Sequence, residues 1–553
     1  MTGGVSTPTS PSSPPYEPRD RPLIKHNDYS PLSPPAIGAR TPSRTVSVVI
    51  PAHSGQNRLD TTLAALTAQT YPAHLMEVIV VDDGSTPPLR LPEIRPEGTR
   101  IVAAENGGWG IAHAVNTGVR AADGELIQRL DADMVICREH IEALARWHHE
   151  TDYLVTIGMK SFTNAMPPSP EDVHDAVSMG TLSTLFPADT LVPSSTTATI
   201  ARLDGLRASR NPYHVCTGPT VSLRKDVFEA VGGLDPRVLR GEDTEFAYRL
   251  AMHGVVFVPD EAAEAVHLGL PAQRLAPERA VRAVEPYLAH RVPLRRDLRK
   301  APGRRWLVPY VEIVFEVGDA AEDTVREAVG AALTGSLQDV VVTLVAPWSA
   351  LPEGRRPVLT DPSFDLHVMR EHFAHDERVR LRDEAAPTPA PVPYRYVGPL
   401  DVPPAAGTLE KMIATVQKER PGVLVVDLPD GRTARLERTE ALGRALLLAG
   451  PGRDRHEVIR ATHGVRHGAM QDYWPARAST PAAPATAAPT SEASTTGGRG
   501  GSVGSAPSAA PDTAAPASRS APQSAPRRTG SSTPASSRSG GWLDRAREAM
   551  RRL

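Results

Sequence analysis

Cysteine is nearly absent. Of 553 residues only Cys137 and Cys216 carry a thiol, which excludes a disulfide framework and a zinc module built on cysteine, and fits a reducing compartment. Long apolar runs are missing as well: none nears the ~18 residues of a membrane-spanning helix. The opening "MTGGVSTPTSPSSPPYEP" has neither the basic start nor the apolar centre of a signal peptide. Charge of one sign is also lacking, since a formal net charge of -3 leaves no basic footprint for nucleic acid. On these absences the chain is expected to be cytoplasmic, with any membrane contact peripheral and at the inner face.

What is present is enough apolar residue, 40%, to fill ordinary cores in two or three domains. Proline marks the divisions. Residues 1–44 are Pro/Ser-rich without periodicity, and 475–540 repeat that composition more strongly, so both are expected to be disordered. The basic, proline-punctuated run "AHRVPLRRDLRKAPGRR" points to a linker at 291–306 between ordered domains at 45–290 and 307–474.

Within the first domain, "TVSVVIPAH" is a β-branched run of the kind buried in a parallel sheet. Leu59, Leu63 and Leu66 then form a helical stripe, and "MEVIVVDDGS" is a second buried strand, completing a β-α-β unit. In open parallel sheets ligands sit beyond the carboxyl ends of the strands, and acids appear there: Asp82 and Asp83 after one strand, Asp131 and Asp133 after another. Residues at i and i+2 of a strand project the same way, so Asp131 and Asp133 repel unless a cation, most simply a divalent metal, sits between them. The plainer alternative is an acid pair in water at a strand end.

"VSVVIPAH", "VIVVDDGS", "ENGGWGIAHAVNTGVRAADGELI" and "LDADM", in this order over about residues 45–270, resemble the family 2 glycosyltransferases of the GT-A fold. The resemblance implies an α/β, Rossmann-like nucleotide-diphospho-sugar transferase domain. On that basis Pro51, Ala52, Asp82, Asp83, Asn106 and Asp131 would line the donor side. Asp131 and Asp133 would form the Asp-X-Asp motif that holds a metal bridging the donor diphosphate. Two departures touch substrate detail: His53 and Ser54 stand where many relatives carry an aromatic residue and an asparagine, and the "GGWGIAHAVNTG" segment is longer than the common arginine-containing version.

The segment "VSLRKDVFEAVGGLDPRVLRGEDTEFAYRLAMHG" adds Glu242 and Asp243 where a helix begins, with Gly254 suited to end it. It resembles the Gly-Glu-Asp segment shared by family 2 and galactosyltransferase-like enzymes, in which the aspartate is the catalytic base; the competing role for Asp243 is a helix N-cap. His267 follows at the end of another extended run. Related metal-using enzymes often place a further metal ligand near there, whereas a lone histidine is otherwise structural. Oxygen and nitrogen ligands together suit manganese better than magnesium.

From 308 the chain repeats strand, loop, helix and strand, with Val325, Val329 and Leu333 as the stripe, and "GTLEKMIATVQKERPGVLVVDLPDG" echoes the approach to Asp-Ala-Asp. This reads as a smaller, degenerate GT-A-like α/β domain, against the alternative of an unrelated α/β domain. It lacks paired acids after its second strand, and Asp427 and Asp430 have the wrong spacing for an Asp-X-Asp. The final 541–553 segment forms an amphipathic pattern suited to docking on a membrane surface or a protein partner.

The sequence therefore points to an inverting, metal-dependent transferase using a nucleotide sugar, expected to be UDP-linked, on a hydroxyl acceptor that is a glycan, a lipid-linked acceptor or a small molecule. A non-catalytic scaffold on the same fold is the alternative. A nucleotidyltransferase is disfavoured because "PAHSGQN" is not the Gly-rich, Arg-containing loop that grips a triphosphate.

Overall fold

The computed structural model describes residues 21–475 apart from Pro302 and Pro451. The described residues all fall within one compact unit. The disorder expected at 1–20 and in the tail, and the helix expected at 541–553, lie outside the described residues. Among the described residues no helix is long and apolar enough to cross a membrane.

The first sheet is built from β1 (Val46–Ala52), β2 (Met76–Asp82), β3 (Thr99–Ala103), β4 (Leu126–Leu130), β5 (Met134–Ile136), β6 (Leu154–Thr163), β7 (Val192–Pro193), β8 (Thr220–Arg224) and β9 (Val256–Leu268). Its order is β3-β2-β1-β4-β8-β6-β9-β5, with β7 on β6. With side chains alternating between two covered faces, β1 is buried along nearly its whole length and is apolar except at Ser47. Val46, Val48 and Ile50 pack with Leu59, Leu63 and Leu66 of the helix Gln56–Thr67 on one face. Val49 packs with Val115 and Val119 of the helix Ile111–Ala121 on the other.

The second sheet contains β10 (Val311–Glu316), β11 (Val340–Val345), β12 (Val379–Arg382), β13 (Tyr394–Val397), β14 (Val423–Asp427), β15 (Thr433–Arg438) and β16 (Val465–Ala469). Its order, β12-β11-β10-β13-β15-β14-β16, repeats β3-β2-β1-β4-β8-β6-β9 strand for strand. The directions repeat as well. Pairing is parallel up to β13, antiparallel at β13-β15 and β15-β14, and parallel at β14-β16. The first sheet shows the same pattern through β4, β8, β6 and β9. The second sheet thus shares with the first seven strands in one order and one set of directions.

The match also corrects the alignment read from the sequence. The strand that stands where β4 stands is β13, not β14. Val46 lies opposite Met76 and Leu126, and Val311 opposite Val340 and Tyr394. The same steps along the strands put Pro399 and Asp401 at the places of Asp131 and Asp133, and Ala346 and Pro347 at those of Asp82 and Asp83. The one acid retained, Asp401, is held by both Nη atoms of Arg432 at 2.7 Å.

Two further expectations change. Disorder does not extend through residue 44: Ile24, Tyr29 and Leu32 are buried against Tyr153, Val256, Val423, Leu448 and Ile459, so the segment is wedged between the two sheets. Proline and serine around these side chains hide that apolar content from a compositional reading. Nor is 291–306 a free tether. Arg299 is buried, donating to Ala289 O at 2.7 Å and pairing with Asp339 at 3.0 Å, while Arg296 stacks over Tyr310. The two sheets therefore form one unit, closed where Gly254, with φ 97° at the end of the helix Glu242–His253, meets Gly443. A Cβ on either glycine would collide with backbone of the opposite helix.

Asn27 shows what the wedge contributes. Buried, it accepts from Phe257 N at 2.8 Å and donates to Phe257 O at 2.9 Å and Leu206 O at 3.2 Å. Asn27→Ala leaves those backbone groups without partners and should destabilise the fold by about 2 kcal/mol, read as a lowered urea midpoint with unchanged slope.

Candidate active site

The acids gather at the carboxyl edge of the first sheet. Ala52 and Asp82 are partners at the end of the β1-β2 ladder, and Asp131 follows directly on β4. Met134, the first residue of β5, lies opposite His267 on β9, and this pairing brings the histidine back to Asp133. Ligand atoms of Asp131, Asp133 and His267 all lie within 4.8 Å of one another.

Compensation around these groups is loose. His267 Nε2 stands 3.4 Å from Asp133 Oδ1, Arg58 Nη1 3.5 Å from Asp133 Oδ2, and Arg129 Nη2 3.4 Å from Asp131 Oδ1. Good charge-assisted hydrogen bonds are shorter, at about 2.7–2.9 Å. Burial raises the pKa of Asp133; His267 and Arg58 pull it back while Asp131 adds to the rise. The His267 ring packs on Phe162 at 5.3 Å between centroids. Two carboxylates and an imidazole nitrogen, drawn together without close partners, are a donor set that fits a divalent cation.

The upstream acids are spent on loops. Asp82 accepts from Ser85 N at 2.8 Å and Leu89 N at 3.0 Å, which holds its pKa down despite partial burial. Asp83 accepts from Gly110 N at 2.7 Å and so ties the loop carrying Asn106 to the strand end. Asn106 is exposed in that loop, beside Trp109 at 66% exposure. Pro51 is half-buried and Ala52 buried, its carbonyl accepting from Asp83 N at 2.9 Å. Asp82 and Asp83 thus hold the loops at this strand edge.

Glu242 and Asp243 open the helix Glu242–His253, but its N-cap is Gly241 in left-handed conformation, with no side-chain capping bond. The capping role weighed for Asp243 is therefore filled by another residue; its Oδ1 accepts from Thr244 N at 2.7 Å. Glu242 is 7% exposed. Burial raises its pKa, with Asp243 adding to the effect and Arg129, 3.9 Å away, opposing it. Glu245 is engaged by Arg249 at 2.6 Å.

Two cations stand between the acid groups. Burial opposes the charge on Arg129, yet Asp131, Glu242 and Asp243 outweigh it and raise its pKa. Gly218 lies so close that a Cβ there would collide with this guanidinium. Lys160 is buried, donates to Thr217 Oγ1 at 2.6 Å and O at 3.0 Å, and is lowered to about 8 by burial against the pull of Asp243 and Asp131. Sequence reading passed over both. The signal was there for Arg129, a charge inside the apolar "LIQRL" two residues before Asp131 and so on the same side of the strand. Lys160 in "TIGMKSF" gave only an apolar-run anomaly, and Arg58 none.

The model of the family described as Glycosyl transferase family 2 matches residues 47–232. The chain is 27% identical to chondroitin synthase of Escherichia coli over 366 residues, 61% of this chain and 50% of that protein. It is 30% identical to validoxylamine A glucosyltransferase of Streptomyces hygroscopicus subsp. limoneus over 239 residues, 40% of this chain and 51% of that protein. It thus spans about half the length of the curated relatives it matches. Among solved structures, a mannosyltransferase of Pyrobaculum calidifontis in complex with GDP-Man and Mn2+ overlaps at a TM-score of 0.31 with 19% identity, covering 48% of this chain and 67% of that one. Glu242, Asp243 and His267 lie beyond the residues that the family model matches.

If the three ligand groups act as one clamp, Asp131→Asn or Asp133→Asn removes both a charge and a ligand. Manganese-dependent binding of a UDP-sugar, followed by titration calorimetry, should be lost in either variant, while unchanged affinity in both would separate these acids from the metal.

Proposed function

Starting from a chain that carries a family 2 glycosyl transferase domain over residues 47–232, we propose that it is an inverting, metal-dependent glycosyltransferase. It moves a sugar from a nucleotide-diphosphate donor, with UDP-sugars the first class to test, to a hydroxyl of a growing glycan. The observation that carries this reading is the convergence of Asp131, Asp133 and His267 within 4.8 Å at the carboxyl edge of the sheet. Asp243 supports it from the opening turn of a neighbouring helix, where its charge acts on Arg129 and Lys160 together with that of Asp131.

In the proposed reaction the acceptor oxygen bonds to the anomeric carbon as the bond from that carbon to the diphosphate oxygen breaks, and the bonding pair leaves with the nucleotide. Asp243 takes the acceptor's proton. A base on the acceptor side, opposite the leaving group, gives inversion. Asp131, Asp133 and His267 would hold a divalent ion, which when bound would supply positive charge against the leaving diphosphate, and a set of two oxygens and one nitrogen suits manganese better than magnesium. Arg129 places its positive charge 3.4 Å from Asp131 and 3.9 Å from Glu242, and Lys160 donates to Thr217. The second sheet has no paired acids at the equivalent strand ends, so a single donor site is proposed.

Asp243→Asn separates a base from a structural acid. Gly241 is the N-cap, and the amide oxygen of asparagine can still accept from Thr244 N as Asp243 Oδ1 does, so the helix start is kept. Turnover should fall by about 10² to 10⁴ while donor affinity and melting temperature stay near wild type. Steady-state kinetics beside donor titration checks this, and wild-type turnover in the folded variant would move the base elsewhere.

A further inference from the structure

Away from the active edge, a cavity of about 240 Å³ opens between the two sheets. Three guanidiniums from three separate places face it: Arg210 from the loop ahead of β8, Arg420 just past the helix Thr408–Glu419, and Arg438 at the end of β15. One carboxylate, Glu440, answers them, and it is already engaged by Arg438. Met252, Leu294 and Val416 form an apolar wall. Met252 is near the far end of the helix that Asp243 begins, about 14 Å along the axis at ~1.5 Å per residue, so the cavity is separate from the acid cluster.

The arginines are held together against their own repulsion. Arg420 sits at φ 62° and donates through Nη2 to Ser209 O at 3.1 Å, while its Nε is buried without a hydrogen-bond partner among the described residues. Burial lowers its pKa, and Arg438 and Arg210 add to the lowering against Glu440. Arg210, exposed on the rim, donates to Gln417 O at 2.8 Å. The adjoining histidines feel the same field: His26 is lowered to about 3 by burial and then by Arg420 and Arg438, and His463 is driven well below its ordinary value.

We propose that this cavity binds a phosphate ester. Three guanidiniums drawn from three segments offer a tetrahedral dianion several donors and more charge than the one carboxylate present answers, whereas a planar carboxylate is satisfied by one bidentate fork. The apolar wall receives the organic part of the ligand. Since the lining comes from both sheets, an occupant stabilises the folded unit by mass action, and binding is readable without turnover.

Calorimetric titration of the full chain in EDTA, with inorganic phosphate, phenyl phosphate and benzoate, tests this beside Arg210→Glu, Arg438→Gln and Asp131→Asn. Both phosphates should bind wild type and Asp131→Asn saturably and alike, phenyl phosphate more tightly, with affinity at least about ten-fold weaker in the two arginine variants. Arg210→Glu alters an exposed side chain and should keep the wild-type melting temperature, so it remains informative if Arg438→Gln misfolds. The proposal is overturned if neither phosphate binds wild type saturably, if Arg210→Glu binds as wild type does, if benzoate matches phenyl phosphate, or if Asp131→Asn abolishes binding.

Discussion

Asp131 and Asp133 sit on the tight turn between β4 and β5, where their carboxylates converge with His267 within 4.8 Å and repel each other, and the charged side chains around them answer that repulsion. Arg129 stands behind Asp131, Arg58 and His267 flank Asp133, and Lys160 lies between Asp131 and Asp243 in charge if not in contact. None of these partners closes to an ideal hydrogen bond with the pair, so the site stays short of positive charge at the point where the ligand atoms converge. The fold retains that deficit by pairing β5 with β9, because this register is what carries His267 to Asp133.

The second sheet shows what the same architecture becomes once the constraint is lifted. Its strand order and directions are those of the first, yet Pro399 and Asp401 replace the acid pair, and Asp401 is neutralised by a bidentate arginine. At the strand ends that match the acid pair, this sheet therefore presents no acid without a partner. Gly254 and Gly443 let the two helices touch backbone to backbone, Arg444 donates to Ile24 O at 2.9 Å, and the 21–32 segment fills the seam. The helix that bears Asp243 is thereby braced at its far end by the second domain, which links that domain to the geometry of the proposed base.

How much of this was legible beforehand follows the range of the forces involved. Strands such as Val46–Ala52 announce themselves because burial on both faces demands unbroken apolar sequence, and the carboxyl-edge rule then locates Asp82, Asp83, Asp131 and Asp133. The second sheet was visible in its first β-α-β unit, where local periodicity is strong. Its later strands were mismatched, since Tyr394–Val397 has only four residues and alternates charge with aromatic side chains. Arg129 and Lys160 were missed because their roles depend on neighbours distant in sequence. Residues 21–44 were misread because a few buried side chains carry the contact while proline and serine dominate the composition.

The direct measurement is anomalous diffraction at the manganese edge from crystals of the chain grown with UDP and Mn2+. The account predicts one manganese peak in contact with the carboxylates of Asp131 and Asp133 and the imidazole of His267, bridging to the diphosphate, and none beside Asp401. A peak held by the diphosphate without these side chains, or one at the second sheet, would contradict it.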